Sequence, residues 1–454
     1  MSAGAAARPG RVATIVSACV LAVCVLASAG VVYASSEGAF TVPLETLSPD
    51  DYVDPAPTPT AAAVALPEAD TVPTGPLPNV VRIQQAINSV NRAGLGEIGL
   101  SVLSLDGTVL VSESADRPMT PASSLKVLSC LTALSILGPE HRFTTKVVSS
   151  SEGIILVGGG DPYLEYASDF GQDQGSIQQL ADLTVAALGS TTSVALGYDD
   201  SLFAGPTWNT TWEDYSDDVT PISALWLDGG WTEGYHEPTP ADRAAHVFAA
   251  LLTDRGITVT SVASTKAHGA AKELAHVQSM PLRNIVARIV SVSDNSATEV
   301  VLRQASVASG GDGSFASAVA IAREVLTELG IWMPGMAMAD GSGLSLSDWV
   351  PAQALARAVV VAHEDPVLSS VLVGFPVAGV SGTLWSRFSD EEEAGGRGVV
   401  HAKTGNHNGV CSLTGFVQTK TGGVVAFSII ANNSWDTWAT QDWIDRVSTA
   451  IAAT

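Results

Sequence analysis

Lysine is scarce in this chain, at six of 454 positions, and lysine and arginine together number 22 against 46 aspartates and glutamates. The net charge of -24 leaves no basic stripe, which excludes a phosphate-backbone partner, so no nucleic acid is expected. Cysteine is rarer still. Cys19 and Cys24 lie in an apolar N-terminal run; Cys130 and Cys411 either bridge in an oxidising compartment or, as the favoured expectation, stay two buried free thiols, since cysteine behaves as a small core hydrophobe. The eight histidines are scattered, and none pairs with Cys or Glu at ligand spacing, so neither a metal site nor a cofactor is expected. Gly158-Gly159-Gly160 lacks a following Gly-Lys-Ser/Thr, which excludes a phosphate loop.

What is present is apolar. A hydrophobic share of 46% with 15% charge supplies core for two or three folded units. Arg8 and Arg11 precede an uncharged run, Val12 to Ala34, long enough to span hydrocarbon and oriented N-in, C-out by its flanking charges. Residues 1–34 therefore read as a membrane anchor or as a signal peptide cleaved after Ala29 or Ala34. Val16-Ser17-Ala18-Cys19 offers a lipoprotein box as a third variant. Each places the remaining chain outside the cytoplasm and limits membrane contact to this segment. Nine of the 23 prolines then fall within residues 35–79, a composition that predicts an extended linker reaching roughly 140 Å.

From Val80 the pattern is that of a folded protein. Helical spacing predicts a helix over 80–93, and alternation predicts strands over 98–105 and 108–112, joined by Asp106-Gly107. Thr120 as N-cap, Pro121 at the first helical position and Gly138-Pro139 as terminator predict an all-round apolar helix with Ser123 in its first turn. Residues 143–280 read as an inserted, largely β region with strands over 143–149, 154–157, 194–198 and 257–263 and one helix, 241–255. Helices follow over 282–305, broken near 291–295, and over 315–329. Strands over 399–403, 410–418 and 424–431 lead to a last helix, 438–452. Helices with an antiparallel sheet make the class α+β.

Three triplets stand out by order. Ser123-Ser124-Leu125-Lys126 gives S-x-x-K, Ser293-Asp294-Asn295 gives S-D-N, and Lys403-Thr404-Gly405 gives K-T-G. Of the six lysines only Lys126 has a serine three residues before it, and its helix is too apolar to be a surface helix. A serine hydroxyl needs a base, and a buried lysine one turn along can be that base once desolvation depresses its pKa. Lys403 and Thr404 on an edge strand can grip a carboxylate, with Gly405 leaving room. The amides of Asn406 and Ser123 can form an oxyanion hole. Ser293 can relay a proton to a leaving amine and Asn295 can orient an amide. A second K-T-G, Lys420-Thr421-Gly422, falls between two strands and reads as a hairpin turn.

Together the triplets resemble those of the serine penicillin-recognising enzymes. Gly158-Gly159-Gly160-Asp161-Pro162, Phe203-Ala204-Gly205-Pro206, Pro221-Ile222-Ser223-Ala224-Leu225, Asp340-Gly341-Ser342-Gly343-Leu344-Ser345 and Pro376 to Leu384 also occur in order. Over residues 80–450 the chain resembles the type-4 low-molecular-mass penicillin-binding proteins, D-alanyl-D-alanine carboxypeptidase/endopeptidases. The resemblance implies a β-lactamase/transpeptidase-like catalytic domain, 80–142 with 281–454, split by an accessory insertion, 143–280. It implies peptidoglycan stem peptides as substrates and β-lactam antibiotics as inhibitors. By motif position Ser123 is the acylated nucleophile, Lys126 its base, Ser293 and Asn295 the second motif, and Lys403 and Thr404 the carboxylate grip. Asn406-His407-Asn408 departs from the family's usual residues after Gly405, and Asp340 to Ser345 reads as a turn. Two alternatives share the pattern: a β-lactamase, although no glutamate here stands in an E-x-x-L-N context, and an inactive cell-wall-binding scaffold.

Overall fold

The computed structural model describes residues 76, 78–92, 95–167, 173–232 and 234–454, and two five-stranded sheets organise them. The apolar run 12–34 and the linker, apart from Pro76, Pro78 and Asn79, lie outside the described residues. Among those described, no helix is long and apolar enough to cross a membrane.

After helix α1 (Val80–Ser89) come strands β1 (Glu97–Ser104) and β2 (Val109–Glu113), then helix α2 (Lys126–Leu137). Residues 143–280 contribute β3 (Thr144–Ser149), β4 (Gly153–Val157), α3 (Ile177–Leu188), β5 (Ser193–Asp199), α4 (Pro240–Asp254), β6 (Thr258–Ser264) and β7 (Glu273–Gln278). Helices α5 (Leu282–Val292), α6 (Asn295–Ala308), α7 (Phe315–Glu328) and α8 (Ala352–Glu364) follow. Strands β8 (Val400–His407), β9 (Val410–Gln418) and β10 (Val424–Asn432) and helix α9 (Thr437–Ala452) complete the chain.

The first sheet is antiparallel in the order β8-β9-β10-β1-β2. Its two faces are both covered, and β10 shows why its sequence is apolar throughout. Val425, Phe427 and Ile429 point toward Ile83 and Ile87 of α1 and Trp443, Ile444, Val447 and Ile451 of α9. Their alternates Ala426 and Ile430 point toward α2, α5 and α8. Each such large side chain contributes about 1.5–3 kcal/mol by leaving water. Helix α2 lies in the middle of the second layer and is buried from Lys126 to Leu134, consistent with an apolar residue on nearly every face. Gly138, at φ 78°, ends it.

The second sheet has the order β7-β3-β4-β5-β6, with parallel pairing of β4 to β5 and of β5 to β6. Helices α3 and α4 pack on it through Leu180, Ala244, Phe248 and Leu252. Residues 143–280 thus hold α3 in addition to the single helix expected from sequence. Cys130 and Cys411 are buried free thiols. Helix α1 stops at Ser89 rather than reaching residue 93, because Val90 is already extended.

Candidate active site

Ser123 is placed by contacts far away in sequence. Thr120 N–H donates to Asn432 Oδ1 (2.9 Å) and Asn432 Nδ2 donates back to Thr120 C=O (3.0 Å), so Thr120 is held by β10 and does not cap a helix. Ala122 then adopts φ 47°, outside the helical range, and Ala122–Leu125 forms a 3-10 turn ahead of α2. This corrects the expectation that Ser123 lies in the first α-helical turn behind a Thr120 cap. The consequence is favourable: in a 3-10 turn residues i and i+3 eclipse, which sets Lys126 directly beneath Ser123. Ser412 Oγ, on β9, lies 2.6 Å from the Pro121 carbonyl and 2.8 Å from Ser124 Oγ and pins the turn to the sheet.

Lys126 is fully buried, and its Nζ has three oxygens around it: Ser123 Oγ at 2.9 Å, Asn295 Oδ1 at 2.6 Å and the Ser342 carbonyl at 2.7 Å. Two of these can only accept. A neutral amine has two N–H bonds and one lone pair, so once the two carbonyl-type oxygens take the hydrogens, the lone pair faces the Ser123 hydroxyl. Desolvation pushes the Lys126 pKa down to about 8, against the pull of Asp340, Asp294 and Glu299 toward the ammonium.

The S-D-N triplet forms the corner between α5 and α6. Ser293 takes a left-handed conformation (φ 64°), Asp294 caps α6 by accepting from Ala297 N–H (2.8 Å), and Asn295 anchors its amide nitrogen on the Asp218 carbonyl (2.9 Å). Lys403, on edge strand β8, is also fully buried. It donates to Ser293 Oγ (2.8 Å) and to the Thr404 carbonyl (2.6 Å), and burial together with Lys126 holds its pKa well below the usual lysine range. Thr404 Oγ1 sits 2.7 Å from Thr383 Oγ1. Gly405 passes so close to the Ser123 turn that a Cβ would lie 2.1 Å from Ser412 Oγ and 2.7 Å from the Pro121 carbonyl. The outer edge of β8 pairs with the chain at Pro376 and Ala378 only as far as Ala402. From Lys403 onward no such backbone pairing is made among the described residues. Asn406, with Ser123, Ser293, Asn295, Tyr215, Asp218, His407, Asn408 and Thr437, lines a cleft of about 500 Å³.

All eight residues expected at the site thus gather around one cleft. The model of the D-Ala-D-Ala carboxypeptidase 3 (S13) family matches residues 82–238 and 232–453. The chain belongs to this family. A carboxypeptidase of Mycobacterium tuberculosis is 32% identical over 85% of this chain and 88% of its own length. Carboxypeptidase DacB of Mycolicibacterium smegmatis is 33% identical over 74% and 76%. Penicillin-binding protein 4 of Haemophilus influenzae matches in structure with a TM-score of 0.67 at 19% identity, over 81% of this chain and 98% of that one. The α+β, transpeptidase-like fold expected from the sequence is the one observed, and this S13 member is a D-Ala-D-Ala carboxypeptidase-type serine hydrolase of the penicillin-binding class.

The S13 site also uses residues that the triplets do not reveal. Asp340 to Ser345 forms the expected turn, tied by Asp340 to the amides of Gly343 (2.7 Å) and Ser345 (2.8 Å), but its Ser342 carbonyl reaches Lys126. Gly343, at φ 77°, runs so close to the Ala122 carbonyl that a Cβ would lie 2.0 Å from it. Glu299, 1% exposed, accepts the N–H groups of Gly341 (2.9 Å) and Ser342 (2.7 Å) and so aims that carbonyl. Burial and then Asp340 raise its pKa to about 8. Glu299→Ala strands two buried N–H groups. The expected result is a loss of about 2–5 kcal/mol in urea unfolding and acylation slowed by on the order of 10²-fold, whereas Glu299→Gln keeps an accepting oxygen and stays within about tenfold of wild type. Equal acylation rates for the alanine variant and wild type would remove Glu299 from this role.

Proposed function

We propose that the site hydrolyses D-alanyl-D-alanine ends of peptidoglycan stem peptides through an acyl-enzyme on Ser123. The observation that carries this reading is the placement of Lys126 Nζ 2.9 Å from Ser123 Oγ, with Asn295 Oδ1 and the Ser342 carbonyl to accept its hydrogens. Lys126 takes the Ser123 proton as Oγ attacks the penultimate carbonyl. The resulting oxyanion meets backbone amides of Ser123 and Asn406, while the terminal carboxylate lies on Lys403 and Thr404. Collapse breaks the C–N bond, and the proton passes from Lys126, with Ser293 as relay, to the leaving amine. Water then attacks the ester with Lys126 again as base. Asn295 serves both ends of this cycle, holding Lys126 with Oδ1 and facing the cleft. β-Lactams enter by the same route, their carbonyl taking the place of the peptide's. A cross-link supplies the same acyl group with a larger leaving amine, so endopeptidase action fits the scheme as well.

The apolar segment 12–34, as anchor or signal, would put this chemistry at the cell wall, with residues 35–79 as its reach and residues 143–280 as an accessory lobe. Intact-mass and peptide mapping after exposure to benzylpenicillin tests the reading. The expected result is one long-lived adduct, on the peptide carrying Ser123. An adduct elsewhere, or none, sinks it, and rapid release would assign the site to a β-lactamase instead.

A pH dependence follows from burial of the base. Lys126 must be neutral to act, so acylation rises about tenfold per pH unit below 8 and levels off above it. An ordinary lysine would keep that limb rising toward 10.5. Rapid-mixing measurement of β-lactam acylation between about pH 5.5 and 9.5 separates the two.

A further inference from the structure

Where the chain brings Thr437 to the cleft, two neighbouring indoles face solvent. Trp435 is 96% exposed and Trp438 82%, on either side of Thr437, which lines the cleft. Indoles this bare usually sit on floppy loops, yet this loop is pinned. Ser434 N–H donates to the Gly409 carbonyl (3.0 Å), in the turn between β8 and β9, and Ser434 Oγ lies 3.0 Å from the Asp436 carbonyl and 2.6 Å from Thr440 Oγ1. Asp436 caps α9 through Ala439 N–H (3.0 Å), and Cys411 Sγ reaches the Thr437 carbonyl (3.6 Å). The backbone that carries the two indoles is therefore held in place, which leaves less ordering to lose on binding.

The surroundings say what would cover them. No lysine or arginine lines the cleft, Asp436 lies between the two tryptophans in the chain and Asp218 lines the cleft, so an anionic lipid or polymer finds no countercharge here. The complementary ligand is uncharged, with an apolar face and polar edges, which describes a pyranose ring stacked on an indole. A surface continuous with a stem-peptide cleft has such a ligand at hand, because each stem is covalently attached to a sugar chain. We propose that Trp435 and Trp438 form a platform for the neutral amino-sugar strand of peptidoglycan, which holds the polymer while its stem enters the cleft. This rests on the stem-peptide reading above.

The test uses the full-length protein and the double variant Trp435→Ala/Trp438→Ala. The expected result is release of D-alanine from intact sacculi lowered at least about tenfold at subsaturating sacculi, with turnover of a soluble pentapeptide and β-lactam labelling within about twofold of wild type. A neutral N-acetylglucosamine oligomer should compete with sacculi for the wild type and not for the variant. Four outcomes overturn the proposal: unchanged release from sacculi, no competition by the neutral oligomer, an equal loss on the soluble peptide (the indoles then belong to the peptide cleft), or a loss confined to sedimentation with phospholipid vesicles. Failure of the underlying reading looks different, since wild type would then release no D-alanine from either substrate and carry no adduct on Ser123.

Discussion

Alanine at position 123 leaves a folded protein that no β-lactam labels and that turns over a D-alanyl-D-alanine peptide on the order of 10⁴-fold or more slowly. The fold survives because the Ser123 side chain is only partly buried, and the described contact of its hydroxyl is the one to Lys126, which keeps Asn295 and Ser342 as partners. The expected stability change is therefore within about 1 kcal/mol. Chemistry does not survive, since Ser124, the nearest other hydroxyl in sequence, is fully buried and engaged with Ser412. A fluorescent penicillin, read on a gel beside a urea melt, measures both halves. Undiminished labelling of the alanine variant would show that another group is acylated.

The placement of these residues was legible in the sequence to different depths. The three triplets were legible because side-chain chemistry at fixed order is what sequence records best, and because lysines are so few that one in S-x-x-K spacing carries weight. Strands β9 and β10 were legible from their apolar runs, and the break between α5 and α6 from the S-D-N corner. Helix α8 was not. Nine of its residues, among them Ala354, Leu355, Ala356 and Ala358 to Ala362, are buried, so no polar face marks a helical period. The turn carrying Ser123 was misread for a different reason. Thr120-Pro121 has the chemistry of a helix start, but a pair of hydrogen bonds to Asn432, 312 residues away, overrides the local preference. Tyr215 and Asp218 reach the cleft on a segment with no periodicity. Its anchors, such as Trp212 Nε1 on Asp340 Oδ2 (2.7 Å) and Asn209 Nδ2 on the Ala339 carbonyl (2.8 Å), join parts of the chain that sequence does not connect. Ser342 acts through its carbonyl, a group every residue has, so no residue pattern could single it out.

Methionine in place of Lys126 isolates the amine from its stem, since it fills much of the same buried channel without a nitrogen. Acylation is expected to fall roughly 10³- to 10⁴-fold, the loss of a positioned base, and the limb that rises toward pH 8 should vanish from what activity remains. Stability moves by two opposed effects. Removing a buried ionisable group is favourable, often by about 1–4 kcal/mol when a well-packed apolar side chain replaces it. Against this, the Ser342 carbonyl and Asn295 Oδ1 each lose a donor, at about 1–3 kcal/mol apiece. The two nearly cancel, so a variant that melts close to wild type yet fails to acylate separates catalysis from folding. Lys403 supplies the rival account, because it too is a buried amine, bonded to Ser293. Were it the base, the Lys126 variant would keep both its pH limb and most of its labelling rate. The geometry argues otherwise: Lys403 Nζ donates to Ser293 and Thr404, whereas Lys126 Nζ lies within hydrogen-bonding distance of the Ser123 hydroxyl.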